Sequence, residues 1–208
     1  MVRSLCRSSS GGRFTAVLIV IATTTTAATL VVSAHRRDEY LQAARLAIEP
    51  ARVQIHLDLT PGIAVADTVL RQIDRDRTGT ISADEGQAYA DVVLKAVRLE
   101  SDGQPLRLEL SDRRFPAIEA VRRGEGVIRL EFTAAMPPLS PGAHTLRYRN
   151  SHRPEIGVYL ANALVPASER LTVTAQRRDV DQRELTVDLV LRPEQTTGVR
   201  PPVVYKPN

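Results

Sequence analysis

Oxygen-bearing side chains recur at every second position in the segment from 74 to 82, which reads DRDRTGTIS. In a twelve-residue window they occupy positions 1, 3, 5, 7, 9 and 12, which are Asp74, Asp76, Thr78, Thr80, Ser82 and Glu85. Gly79 stands at position 6, where a loop that wraps around an ion needs a sharp backbone turn. An all-oxygen ligand set of this kind suits a hard divalent cation, so the segment predicts a metal-binding loop.

The spacing is that of the EF-hand calcium loop, and we predict Ca²⁺ as the ion. In such a loop Thr80 would act through its backbone carbonyl and Glu85 through both carboxylate oxygens. Ile81 at position 8 is expected to anchor the loop to the core. With only three carboxylates, and with Arg75 and Arg77 beside the ion, we expect modest affinity. The alternative is a loop that keeps its shape through arginine–aspartate contacts without any metal.

Apolar residues on both sides of the loop recur at spacings of three and four, which predicts an entering and a leaving helix within 64–97. The entering face comprises Ala66, Val69, Leu70 and Ile73, and the leaving face Tyr89, Ala90, Val93, Leu94 and Val97. Ser82 can cap the leaving helix, with Glu85 as its capping-box partner. Gly86 replaces the large apolar residue usual after such a loop, so we expect loose packing there.

Outside this segment the apolar period changes from 3.6 to 2, which indicates half-buried strands. Turn signals separate the expected strands, which cover 44–48, 53–59, 106–110, 127–132, 144–148, 156–164, 171–175 and 185–191. The charged stretch 119–125 is expected to be a loop. We therefore predict a mainly β fold, an antiparallel β-sandwich with a single EF-hand helix-loop-helix inserted after the second strand.

The N-terminal segment 1–34 has three arginines, no acidic residue and an apolar run from Phe14 to Ala34 that ends in Val-Ser-Ala. This pattern predicts an export signal cleaved before His35, and an uncleaved membrane anchor is the alternative. Either places the following domain, 35–192, in the periplasm or at the cell surface. The Pro-rich stretch 193–208 is expected to be a flexible tail.

Composition excludes several function classes. The chain has 28 basic and 24 acidic residues, and once the three N-terminal arginines are set aside the remainder is 25 against 24. No basic cluster with interleaved aromatics is present, so we expect no nucleic-acid partner. The single cysteine, Cys6, lies in the N-terminal segment, so the exported part has no disulfide.

No pattern of a nucleophile, metalloprotease or phosphate loop occurs, and the chain is not expected to be an enzyme.

Three stretches resemble a known family: HRRDEYLQA at 35–43, HLDLTPGIAVAD at 56–67 and RYRNSHRPEIGVYLANALVP at 147–166. They are similar to the extracytoplasmic domain of bacterial nickel/cobalt permeases of the HupE type. The resemblance covers residues 35–192 and implies a membrane transporter or another envelope protein as partner. No apolar span follows Leu191, so it implies the soluble domain without the membrane bundle.

The resemblance also implies an alternative function, an accessory protein that binds Ni, Co or Cu for a transporter. A free terminal amine and imidazole on His35 would chelate such a metal, with His56, His144 or His152 as candidate partners. The simpler interpretation is that four scattered histidines are near the number expected by chance, with His56 on the polar face of a strand. A third alternative is an anchored subunit that docks onto a separate permease.

Overall fold

Alternating apolar residues form ten strands in the computed structural model, which describes residues 38–194. In chain order these are β1 (Tyr40–Glu49), β2 (Arg52–Pro61), β3 (Val97–Ser101), β4 (Gln104–Pro105), β5 (Glu109–Arg114), β6 (Ile128–Ala135), β7 (Gly142–Asn150), β8 (Gly157–Ala163), β9 (Leu171–Arg178) and β10 (Glu184–Leu191). They pair into two five-stranded sheets, with orders β5-β6-β2-β1-β8 and β4-β3-β7-β10-β9. The predicted mainly β sandwich is confirmed.

Strand pairing is antiparallel throughout the two sheets except where β8 joins β1 in parallel. The inward side chains of both sheets meet in one apolar core. On the first sheet Leu46 and Ile55 are fully buried, and on the second Leu146 and Val187 are. Because buried residues alternate with half-buried or exposed ones along most of the strands, the pairing register fixes which side chains enter this core.

Three helices accompany the strands in residues 38–194: α1 (Ile63–Ile73), α2 (Ala83–Ala96) and α3 (Ile118–Arg122). The first two lie between β2 and β3, as the sequence predicts. The apolar faces expected on both helices are buried except for Leu94, which is half-buried, and Val97 already begins β3. Ala66 and Leu70 of α1 pack against Ile118 and Val121 of α3. The first helix, α1, is therefore held on two sides, by the main core and by α3.

Several local predictions are wrong. Gly86 is buried and tightly packed, since a Cβ there would lie 2.9 Å from the Phe115 ring. The segment 119–125 is not simply a loop, because α3 occupies most of it. The strand expected at 106–110 begins only at Glu109. Leu106 and Leu108 are half-buried against the core without belonging to a strand.

The segment 1–37, with Cys6 and His35, and the tail from 195 onward lie outside the described residues. The predictions of an export signal and of a flexible tail therefore remain predictions. Within residues 38–194, no helix combines the length and the apolar character needed to cross a membrane.

Candidate metal centre

The loop between α1 and α2 begins where α1 ends, at Asp74. The backbone N–H of Asp74 still donates to the Leu70 carbonyl at 2.9 Å, so its backbone is fixed by the helix. Arg77 and Gly79 then adopt positive φ angles of 58° and 80°. Glycine adopts this conformation without strain, whereas an arginine there is strained, and the two residues together curl the loop back on itself.

Backbone N–H groups of the loop orient the first two carboxylates. Thr78 N–H donates to Asp74 Oδ1 at 3.0 Å, and Gly79 N–H donates to Asp74 Oδ2 at 3.1 Å. Thr78 N–H also lies 3.1 Å from Asp76 Oδ1. Backbone N–H groups of the loop thus hold both aspartate side chains. One oxygen from each lies on the same side of the loop.

Glu85 connects the two ends of the loop. Its Oε1 accepts from the Arg75 N–H at 2.7 Å, and its Oε2 accepts from the Ser82 N–H at 3.0 Å and the Ser82 hydroxyl at 2.7 Å. Ser82 and Glu85 form the predicted capping box of α2. The Ser82 amide and hydroxyl, followed by the Arg75 and Asp76 amides, lower the pKa of Glu85 to about 2. The carboxylate is therefore ionised at neutral pH.

The three carboxylates converge. One ligand oxygen from each of Asp74, Asp76 and Glu85 lies within 4.8 Å of the others, and no other such group of acidic, histidine or cysteine side chains occurs in residues 38–194. Asp74 is buried, Glu85 half-buried and Asp76 exposed, so one side of the group is open to solvent. Three negative charges this close repel one another unless a cation lies between them. The group could hold a metal ion.

Two neutral oxygens of the predicted ligand set are also neighbours. The Thr78 hydroxyl lies 3.3 Å from the Thr80 carbonyl oxygen, so positions 5 and 7 present oxygens side by side. Ser82 at position 9 is exposed, but its hydroxyl is used by Glu85. Ile81 is half-buried and packs against both apolar clusters, as predicted, and so anchors the loop from behind.

The two arginines of the loop do not neutralise its acids. Within residues 38–194, neither Arg75 nor Arg77 takes part in an ion pair. The structure therefore does not support the alternative in which arginine–aspartate contacts keep the loop in shape. Hydrogen bonds from backbone N–H groups to carboxylates, together with the apolar anchor Ile81, set the loop conformation.

The histidines considered as transition-metal ligands have separate surroundings. His56 lies 3.4 Å from Glu131, and His144 lies 2.7 Å from Asp102. His152 is buried beside Tyr89. No group of three metal-binding side chains in the described part of the chain includes a histidine. The structure therefore brings together the acidic ligands and leaves the histidines apart.

A buried polar network was missed by the sequence reasoning. The side-chain amide of Asn150 on β7 donates to Gln42 Oε1 on β1 at 2.9 Å, which links the two sheets. Gln42 Nε2 and the Tyr159 hydroxyl both donate to the His152 carbonyl at 2.7 Å, and His152 N–H donates to Asn150 Oδ1 at 2.9 Å. The sequence feature that could have revealed this network is a polar residue at an inward position of a strand. Gln42 and Asn150 both occupy such positions.

Comparison of the chain with family models, with curated proteins and with solved structures finds no match.

Proposed function

We propose that the loop from Asp74 to Glu85 binds one Ca²⁺ and that the protein is a non-catalytic domain whose helix pair this ion stabilises. The observation that carries the proposal is the convergence of Asp74, Asp76 and Glu85 oxygens within 4.8 Å in a loop of EF-hand spacing. The turn at Gly79 has the positive φ that this spacing calls for.

The donor set favours calcium over other ions. All six proposed ligand positions supply oxygen, and Ca²⁺ takes six to eight oxygen ligands in flexible geometry. Mg²⁺ demands a smaller and nearly octahedral site and retains its waters, so it should compete poorly. Later transition metals prefer imidazole or thiolate, and neither lies in the acidic group.

Binding would act on the junction between two helices. Asp74 ends α1 and Glu85 lies in the first turn of α2, so an ion held by both fixes one helix end against the other. The same ion would remove the mutual repulsion of the three carboxylates. Because both helices pack on the sandwich core, the gain is a more rigid edge of the domain.

Export fits this proposal. The N-terminal segment 1–34 carries the sequence pattern of a signal or anchor, and extracellular calcium modules bind at roughly 10⁻⁴ to 10⁻³ M. A loop with three carboxylates and two adjacent arginines belongs at the weak end of the EF-hand range. Such a site is filled where calcium is abundant, which supports a structural role in the cell envelope or outside the cell.

Calorimetric titration of the calcium-depleted protein tests the proposal. We expect one equivalent of Ca²⁺ to bind in the micromolar to millimolar range, with Mg²⁺ much weaker. Titration with Ni²⁺ serves as the comparison for the transition-metal alternative. Binding of Ni²⁺ without binding of Ca²⁺ would reject the calcium proposal.

A further inference from the structure

A cleft of about 530 Å³ lies beside the metal loop, between the α1–α2 pair and the segment that follows β7. The loop contributes Arg75 and the segment after β7 contributes Arg153. Val92 and Ala96 of α2 provide apolar surface, and Val92 is 44% exposed. A concave site with an apolar wall and a few polar groups is typical of small-molecule binding sites, which have volumes of about 300 to 1,000 Å³.

The charge of the cleft is positive. Of the described residues that line it, two are arginines and none is acidic. Arg75 takes part in no ion pair within residues 38–194. Arg153 pairs with Glu155, but that carboxylate is 57% exposed and does not line the cleft. A cleft with two guanidinium groups and no acid attracts an anion.

Arg153 is held in an unusual conformation. Its φ of 52° places a non-glycine residue in the left-handed region, where a side chain is strained. Ser151 N–H donates to the Ala96 carbonyl at 2.9 Å, which ties the segment to α2. A Cβ at Gly157 would lie 2.8 Å from the Arg153 carbonyl oxygen, so the backbone is closely packed. The Arg153 Nε atom is buried and lies 2.5 Å from Glu155 Oε1.

The floor of the cleft is polar but uncharged. The Tyr89 hydroxyl is hydrogen-bonded to the Tyr40 hydroxyl at 2.6 Å and lies 3.2 Å from His152 Nε2. Burial, followed by the nearby Arg153 charge, lowers the pKa of His152 to about 4, so its ring is neutral at neutral pH. Burial raises the pKa of Tyr89 to about 12, so its phenol stays protonated. The arginines alone supply the charge.

We infer that this cleft binds a small organic anion, whose carboxylate or phosphate group pairs with Arg75 and Arg153 and whose apolar body contacts Val92 and Ala96. Guanidinium groups recognise both oxyanions through paired hydrogen bonds. The volume and the apolar wall favour an organic molecule over an inorganic ion. The residues that line the cleft are not proposed metal ligands, so anion binding and calcium binding can be measured separately.

Amide chemical shifts of the purified protein, recorded in buffer free of carboxylate and phosphate, test the inference. The probes are benzoate and phenyl phosphate, with benzyl alcohol as an uncharged molecule of matched size. We expect both anions to cause saturable shifts at Val92, His152 and Arg153, and benzyl alcohol to cause none at the same concentration. The stronger of the two anions identifies the preferred headgroup. Each titration is repeated with calcium added, so that a failure of calcium binding is seen separately.

Arginine variants assign the binding. Arg75→Gln and Arg153→Gln should each weaken the preferred anion at least about tenfold, because a charge-assisted hydrogen bond is lost. Arg107→Gln is the control, since Arg107 is 88% exposed and does not line the cleft. Arg75 is exposed, so its variant tests the inference even if the Arg153 variant folds poorly. Equal binding of benzyl alcohol, or absence of saturable shifts with both anions, would overturn the inference.

Discussion

The backbone N–H of Arg75 donates to Glu85 Oε1 at 2.7 Å, so position 2 of the loop is hydrogen-bonded to position 12. The same arginine lines the cleft beside the loop. Any ion that reorients the Glu85 carboxylate therefore acts on the backbone that carries the Arg75 side chain. The backbone of Arg75 is thus hydrogen-bonded to a proposed metal ligand, and its side chain belongs to the proposed anion site.

Calcium should raise the melting temperature. When an ion binds only the folded state and its free concentration is 100 times the dissociation constant, it stabilises the folded state by about 2.7 kcal/mol. For a domain of this size that corresponds to an increase of about 5 to 10 °C. Thermal melting with Ca²⁺, compared with Mg²⁺ at the same ionic strength, measures the effect. An equal increase with both ions would indicate general screening of the acidic loop and not a calcium site.

Gly86 should resist enlargement. In Gly86→Leu the new side chain meets the Phe115 ring, and we expect a loss of about 1 to 3 kcal/mol in the free energy of unfolding, measured in urea. Adding Phe115→Ala should recover part of that loss. Ala83→Leu, at an exposed position of the same helix, is the control and should change stability little. If both leucine variants were equally stable, the tight packing of Gly86 against Phe115 would be contradicted.

His152 should titrate far below a free histidine. Its folded pKa is about 4 and its ordinary value is 6.5, so between these pH values the unfolded state binds more protons. The stability that comes from the neutral buried ring is therefore present above pH 6.5 and is lost as pH falls towards 4. The loss amounts to roughly 3 kcal/mol. Histidine proton resonances followed from pH 3.5 to 8 measure the pKa directly.

His144 provides the opposite case in the same titration. Hydrogen bonding to the Ser140 carbonyl and to Asp102 raises its pKa above 6.5. Its contribution to stability is complete below pH 6.5 and is lost as pH rises through the folded pKa. The chain has four histidines, so the resonance lost in His144→Gln identifies His144 and the resonance lost in His152→Gln identifies His152. Should His152 titrate near 6.5, the buried position assigned to its ring would be wrong.

The amide pair between the sheets should be costly to break. Asn150→Leu removes the donor to Gln42 and the acceptor for the His152 N–H, both at buried positions. We expect a loss of about 2 to 3 kcal/mol in the free energy of unfolding. Asn162→Leu, at an exposed position on β8, is the control. Similar costs for the two variants would show that the buried network contributes nothing beyond surface contacts.

The loop and its helices were predictable because they depend on short-range spacing. The positions from Asp74 to Glu85, the capping box at Ser82 and the anchor at Ile81 all follow from local sequence. The strands were predictable where apolar and polar residues alternate. The parallel pairing of β8 with β1 was not, because it joins segments more than a hundred residues apart.

Other features required the tertiary structure. β3 follows α2 without a turn. The apolar spacing of the helix therefore includes Val97, and the sequence did not predict the strand that begins there. Leu106 and Leu108 alternate with polar residues because both leucines face the core. Such alternation indicates burial on one side but does not show that the segment pairs with another strand. Gly86 is explained only by Phe115, which lies 29 positions along the chain. Gln42 was missed because the first strand was expected to begin at Ala44, two residues after this inward position.

The most direct test of the calcium proposal compares two neighbouring acids of the loop. Glu85→Gln removes the proposed bidentate carboxylate, while glutamine can still serve in the capping box, so α2 should keep its start. Asp84→Asn removes one charge from an exposed side chain that is not a proposed ligand. In calorimetric titration we expect calcium affinity to fall at least about tenfold in Glu85→Gln and to change little in Asp84→Asn. Equal affinities in the two variants would contradict the assignment of this loop as the calcium site.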